Sequence, residues 1–291
     1  MQKMRTNPVA NNGLEEYFNC KSGDELFYRI WESENQEKIV IGIHGLGAHS
    51  EYFIQVADQL INRGISVYAL DLKYHGKSTG KKGDIKNFKE LIEQLHEFIC
   101  FIHNKNEKIP IYLMGISMGG TISINYSVLY PEEINSLILF APAVKANVKL
   151  SFTDILKIPI LAILYIFIKG KPIINILERS ESITRNPLRV EYDKTDELRL
   201  NKISIRYLLQ VASWTKKCSK KESEISHPIL IIQGTDDKVV SPDSVKDFFE
   251  ELKIQDKKFI ELKDAYHSLF SDKAMIDENG WEMLRDWILN H

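Results

Sequence analysis

Along the chain, apolar residues fall into short, near-continuous runs. Between these runs lie longer stretches in which they recur every three or four positions. The short runs predict strands and the spaced stretches predict amphipathic helices. Leu26–Trp31, Lys38–Ile43, Ile65–Leu70, Ile109–Met114, Ile134–Phe140, Pro228–Ile232 and Lys258–Leu262 read as strands. Tyr52–Asn62, the run from Phe88 to Ile102, Thr121–Tyr130 and stretches near Asp243–Leu252 and Glu278–Leu289 read as helices. Gly64 and Pro131 stand where the first and third of these should stop. This alternation predicts an α/β fold whose mostly parallel sheet is covered by helices on both faces.

The rhythm breaks from about Val144 to Ile225, where several helical patterns and no clear strand occur. That is far longer than an ordinary connection. The expected organisation is a core of residues 1–143 and 226–291, with a helical cap of residues 144–225 inserted in it. Ile155–Ile168 in the cap is almost wholly apolar. It reads either as a greasy lid that docks on a membrane and opens an acyl channel, or as a lid helix buried against the core. Lys169 and Lys171 beside it could meet anionic headgroups.

Composition narrows the class. The chain has 291 residues with a net charge of −2, 44% hydrophobic and 27% charged, which fits an ordinary soluble protein. Net charge gives no support for nucleic-acid binding. The longest apolar run, Ile158–Ile168, is eleven residues and contains Pro159, too short to span a bilayer. The N-terminus is polar and does not read as a signal peptide. Cys20, Cys100 and Cys218 are far apart and show no CxxC spacing. This points away from disulfides and zinc and towards a cytoplasmic location.

The strongest chemical signal is Gly115-Ile116-Ser117-Met118-Gly119, which follows a strand and opens a helix. In that context GxSxG is a nucleophile elbow: the flanking glycines allow a sharp turn that holds Ser117 out at the carboxyl end of the sheet. A nucleophilic serine needs a base, and the base needs an orienting acid, in the chain order Ser, acid, His. After Ser117 come His227, His267 and His291. His227 starts a strand on the wrong edge and His291 ends the chain, whereas His267 follows the last strand. The acid should lie in Gly234-Thr235-Asp236-Asp237. Either aspartate could serve. Asp237 is preferred because it follows a tight turn that can aim it inward, which leaves Asp236 as a turn-forming carboxylate. Backbone N–H groups of Met118 and Leu46, the latter in His44-Gly45-Leu46-Gly47, would form an oxyanion hole. His44 precedes the nucleophile and reads as structural. Asp71–Ser78 reads as a packed loop near the site. No metal-binding or dinucleotide motif is present, so neither a metal nor a cofactor is expected.

The segments HGLGAHSEYF (His44–Phe53), DLKYHGKS (Asp71–Ser78), GISMGG (Gly115–Gly120), QGTDDKVV (Gln233–Val240) and AYHSLF (Ala265–Phe270) together resemble an α/β-hydrolase. More narrowly, they resemble the monoacylglycerol lipase and lysophospholipase group that is classed with serine aminopeptidases. The resemblance implies Ser117 as nucleophile, Asp237 as acid and His267 as base, with Leu46 and Met118 supplying the oxyanion hole. Tyr74 stands where that group usually has glycine, which bears on the shape of one loop and not on the triad. The expected function is a cofactor-free serine hydrolase of lipid esters, monoacylglycerol or lysophospholipid, acting in the cytoplasm with peripheral membrane contact through the cap. The alternatives are a small-ester carboxylesterase, an aminopeptidase using Glu178, Glu181 or Glu191 to hold an ammonium, and, more remotely, a non-catalytic binding protein on the same fold.

Overall fold

The computed structural model describes residues 12–106, 109–145, 168–176 and 180–291. In chain order these form strands β1 (Leu14–Asn19), β2 (Glu25–Trp31) and β3 (Lys38–Ile43), then helix α1 (Ile54–Leu60) and strand β4 (Ile65–Leu70). Helix α2 (Lys89–Lys105), β5 (Ile111–Ile116), α3 (Met118–Leu129) and β6 (Ser136–Phe140) follow. Between β6 and the next core strand lie β7 (Pro172–Asn175), α4 (Pro187–Thr195), β8 (Lys202–Ser204) and α5 (Ile205–Cys218). The chain closes with β9 (Ile229–Gly234), α6 (Pro242–Glu251), β10 (Lys257–Leu262) and α7 (Gly280–Asn290).

Eight strands form one sheet in the order β1-β2-β4-β3-β5-β6-β9-β10. β2 pairs antiparallel with both of its neighbours, and every other pairing is parallel. Side chains alternate along each strand, and so feed two cores. Ile39, Ile41 and Ile43 of β3 pack with Leu91 of α2 and Ile122 of α3, while Val40 packs with Val56 of α1 and Leu284 of α7. β5 and β6 are apolar on both faces because each face meets helices. β6 and β9 pair directly although more than 80 residues of chain separate them, so the intervening stretch leaves the sheet and returns to it.

Two sequence expectations need correction. The 144–225 stretch was expected to lack strands, yet β7 and β8 pair there as a small antiparallel ribbon. Three or four residues are too few to show a period. β1 also escaped the pattern, because it is an edge strand exposed along nearly its whole length. Residues 146–167 lie outside the described residues, and with them nearly all of the apolar Ile155–Ile168 segment.

Candidate active site

The carboxyl ends of the parallel strands carry the predicted residues. Ser117 joins β5 to α3 with φ 55° and ψ −117°, a left-handed conformation that strains any residue with a side chain. The strain is held by backbone bonds: Ser117 N–H donates to Phe140 C=O at 3.0 Å, and Ser117 C=O accepts from Ala143 N–H at 3.1 Å and Thr121 N–H at 3.2 Å. The glycines of the elbow are required by close approach. A Cβ on Gly115 would come within 2.5 Å of the Gly119 carbonyl, and one on Gly119 would collide with the Ile43 carbonyl.

The loop after β3 faces this elbow, since a Cβ on Gly45 would sit 3.2 Å from Ser117 Cβ. Leu46 follows Gly45, half-buried, and Met118 is buried at the first position of α3, where helix N–H groups lack partners within the helix. His44 pins the loop. Its Nδ1 donates to Gly45 C=O at 2.8 Å, and its Nε2 accepts from Leu72 N–H at 3.1 Å. An acceptor role for Nε2 requires a neutral ring, and complete burial pushes the His44 pKa down to about 4.

Asp237 and His267 meet directly: Asp237 Oδ2 lies 2.7 Å from His267 Nδ1. Asp237 Oδ1 accepts from Val239 N–H at 2.8 Å and Val240 N–H at 2.9 Å, and Oδ2 also accepts from Gln233 Nε2 at 3.1 Å. Burial alone would raise this carboxyl. The His267 hydrogen bond and charge, together with the two backbone donors, outweigh burial and hold it below the usual carboxylate range. An ionised carboxylate only accepts, so His267 carries its proton on Nδ1 and leaves Nε2 for proton exchange. Asp236 instead turns outward to Arg185 at 2.5 Å and Lys238 at 3.1 Å.

Several neighbours were not legible in the sequence. Leu200 N–H donates to Gly47 C=O at 2.9 Å, and His49 Nε2 lies 2.7 Å from Asp196 Oδ2, which ties the loop of Leu46 to the stretch between β6 and β9. Tyr207 of α5 places its hydroxyl 2.6 Å from His75 Nε2 and 3.4 Å from Met118 Sδ. The His44–Phe53 segment was visible as a motif, but its partners, about 90 or more positions away, carry no local signal. Glu191 is exposed, and neither Glu178 nor the Glu181 side chain is among what is described.

A model of the Hydrolase_4 family, described as serine aminopeptidase, S33, matches residues 34–274. The chain belongs to this family. Its fold is the α/β-hydrolase fold. It is similar to a monoacylglycerol lipase of Mycolicibacterium smegmatis, at 23% identity over 97% of this chain and 99% of that one. It is also similar to the phospholipase YtpA of Bacillus subtilis, at 24% identity over 85% and 94%. Among solved structures, that of the Paleococcus ferrophilus monoacylglycerol lipase superposes with a TM-score of 0.78 at 28% identity, covering 91% of this chain and 99% of that one.

Proposed function

We propose that the protein is a serine hydrolase of lipid monoesters, monoacylglycerol or lysophospholipid, working through an acyl-enzyme. The observation that carries this reading is the Asp237–His267 pair at the same sheet edge as the strained Ser117 elbow. Ser117 Oγ attacks the ester carbonyl while His267 Nε2 takes its proton. The tetrahedral oxyanion is held by the N–H groups of Leu46 and Met118. Collapse expels the alcohol, which receives the proton from His267. Water then attacks the acyl-enzyme by the same route, releasing the fatty acid and restoring Ser117. Asp237 fixes the tautomer and stabilises the imidazolium without itself being protonated.

Residues 144–225 act as a cap over this site. The similarity to a monoacylglycerol lipase and a phospholipase supports a lipid substrate. Ile173, Leu188, Leu208 and Leu209, all in this stretch, are exposed by 50%, 80%, 45% and 53%, which supports peripheral membrane contact. No helix among the described residues is long and apolar enough to cross a membrane. Three unpaired cysteines favour the cytoplasm.

The family description favours a second reading, an aminopeptidase. One panel separates the two: a long-chain monoacylglycerol, a lysophosphatidylcholine, a short-chain ester and a proline anilide, each with wild type and Ser117→Ala. Preference for the long-chain esters, abolished in the variant, supports the lipase reading. Cleavage of only the anilide or the short ester overturns it.

A further inference from the structure

We propose that His96, Cys100 and Glu133 form a binding site for a borderline divalent transition ion, Zn2+ or Co2+ in class, away from the catalytic elbow. Their ligand atoms all lie within 4.8 Å of one another, and each residue is half-buried, so an ion can reach them. His96 and Cys100 are four residues apart on α2 and therefore share one face. Glu133 comes from the turn Pro131–Glu133, just after α3. The ligands thus come from two separate elements that an ion would join.

The distances suit tetrahedral coordination. Zn–N of about 2.0 Å and Zn–S of about 2.3 Å place N and S about 3.6 Å apart around one ion. Cys100 Sγ lies 3.7 Å from His96 Nε2. Glu133 closes by rotating its side chain, and water takes the fourth position. The imidazole is already aimed. It stacks on Tyr130 at 3.8 Å with an interplanar angle of 5°, and its Nδ1 faces the Tyr126 hydroxyl at 3.4 Å. That leaves Nε2 for the ion, with the other ring nitrogen oriented by an outer partner, as is usual for a metal-binding histidine. His103, half-buried three residues after Cys100 on α2, supports the turn with Nε2 2.9 Å from Glu133 C=O.

A bound divalent cation stabilises a thiolate at Cys100 and the carboxylate of Glu133 together. Cysteine spacing pointed away from zinc because it compares cysteines only with each other. The relevant spacing is the histidine one helical turn before Cys100.

The test is a Co2+ titration of the reduced full chain, read by the near-ultraviolet thiolate-to-cobalt charge-transfer band and by Tm. The expected result is one equivalent bound, a thiolate band, and a raised Tm, because an ion that binds only the folded state stabilises it. Cys100→Ser should lose the band, and His96→Ala and Glu133→Gln should bind roughly tenfold or more weakly. Melting each variant without metal checks that it folds. A folded wild-type chain with no band at stoichiometric Co2+ overturns the proposal, as does a band that survives Cys100→Ser.

Discussion

Asp237 gives one carboxylate oxygen to His267 Nδ1 at 2.7 Å and the other to the backbone N–H groups of Val239 and Val240. The carboxylate is thereby aimed by its own loop before any substrate arrives. This makes Asp237→Asn a sharp probe. The amide can donate to Nδ1, which favours the wrong imidazole tautomer, and kcat should fall by about 10⁴. The pH dependence of stability should change as well. The wild-type carboxyl is held below its unfolded value, so its contribution is fully present above the unfolded pKa, about 3.9, and is lost as pH falls through the folded value. Melts at pH 7 and at pH values below about 4 should show the two proteins converging as pH drops.

Ser117 is the second probe, because its strain and its chemistry can be separated. Glycine tolerates φ 55° and ψ −117°, whereas alanine does not. Ser117→Gly and Ser117→Ala should both be inactive. Of the two, only Ser117→Gly should be more stable than wild type, by about 1–3 kcal/mol. Denaturant unfolding beside the activity assay checks both statements.

His44 and His75 predict an acid-sensitive fold. Burial depresses both, His44 to about 4. A depressed folded pKa means that the unfolded chain binds more protons between the two values. Stability should therefore be fully present above about pH 6.5, the unfolded histidine value, and decline as pH falls through the window towards 4. His44→Gln should flatten part of that decline. At neutral pH the variant should be less stable by about 1–3 kcal/mol, since a flexible amide replaces the packed ring that holds Leu72 N–H and Gly45 C=O together.

Tyr74 occupies a glycine-like conformation, φ 74°, at the position where the sequence resemblance implied glycine. Its ring packs on Gly80, and its hydroxyl donates to Glu90 at 2.8 Å. Tyr74→Gly would relieve about 1 kcal/mol of backbone strain. It would also empty the space of a buried aromatic ring, at about 3–5 kcal/mol. Packing wins, so the variant should be destabilised by roughly 2–4 kcal/mol by these two terms while kcat stays near wild type. A Tm and a steady-state assay together decide this.

Legibility in the sequence tracked burial. Lys38–Ile43 was readable to the residue, because a strand covered on both faces is a continuous apolar run with a polar start. β5 was read two residues early, since Ile109 and Pro110 extend the same run without being in the strand. β1, β7 and β8 were not readable, being exposed or very short. In the site, Ser117 and His267 were marked by local motif and chain order. The choice of Asp237 over Asp236 rested on a turn argument, and the structure directs Asp237 to the histidine and Asp236 to Arg185. The contacts of Tyr207, Asp196 and Leu200 with the site depend on long-range packing that no local pattern encodes.

The central claim is that Ser117 is a nucleophile activated by His267 and Asp237. Its most direct test is intact-protein mass spectrometry after exposure to a long-chain alkyl fluorophosphonate, followed by peptide mapping. A single adduct on Ser117, absent from Ser117→Ala and strongly slowed in His267→Ala, is the expected result. No adduct on the folded wild-type protein, or an adduct at another residue, would contradict the account.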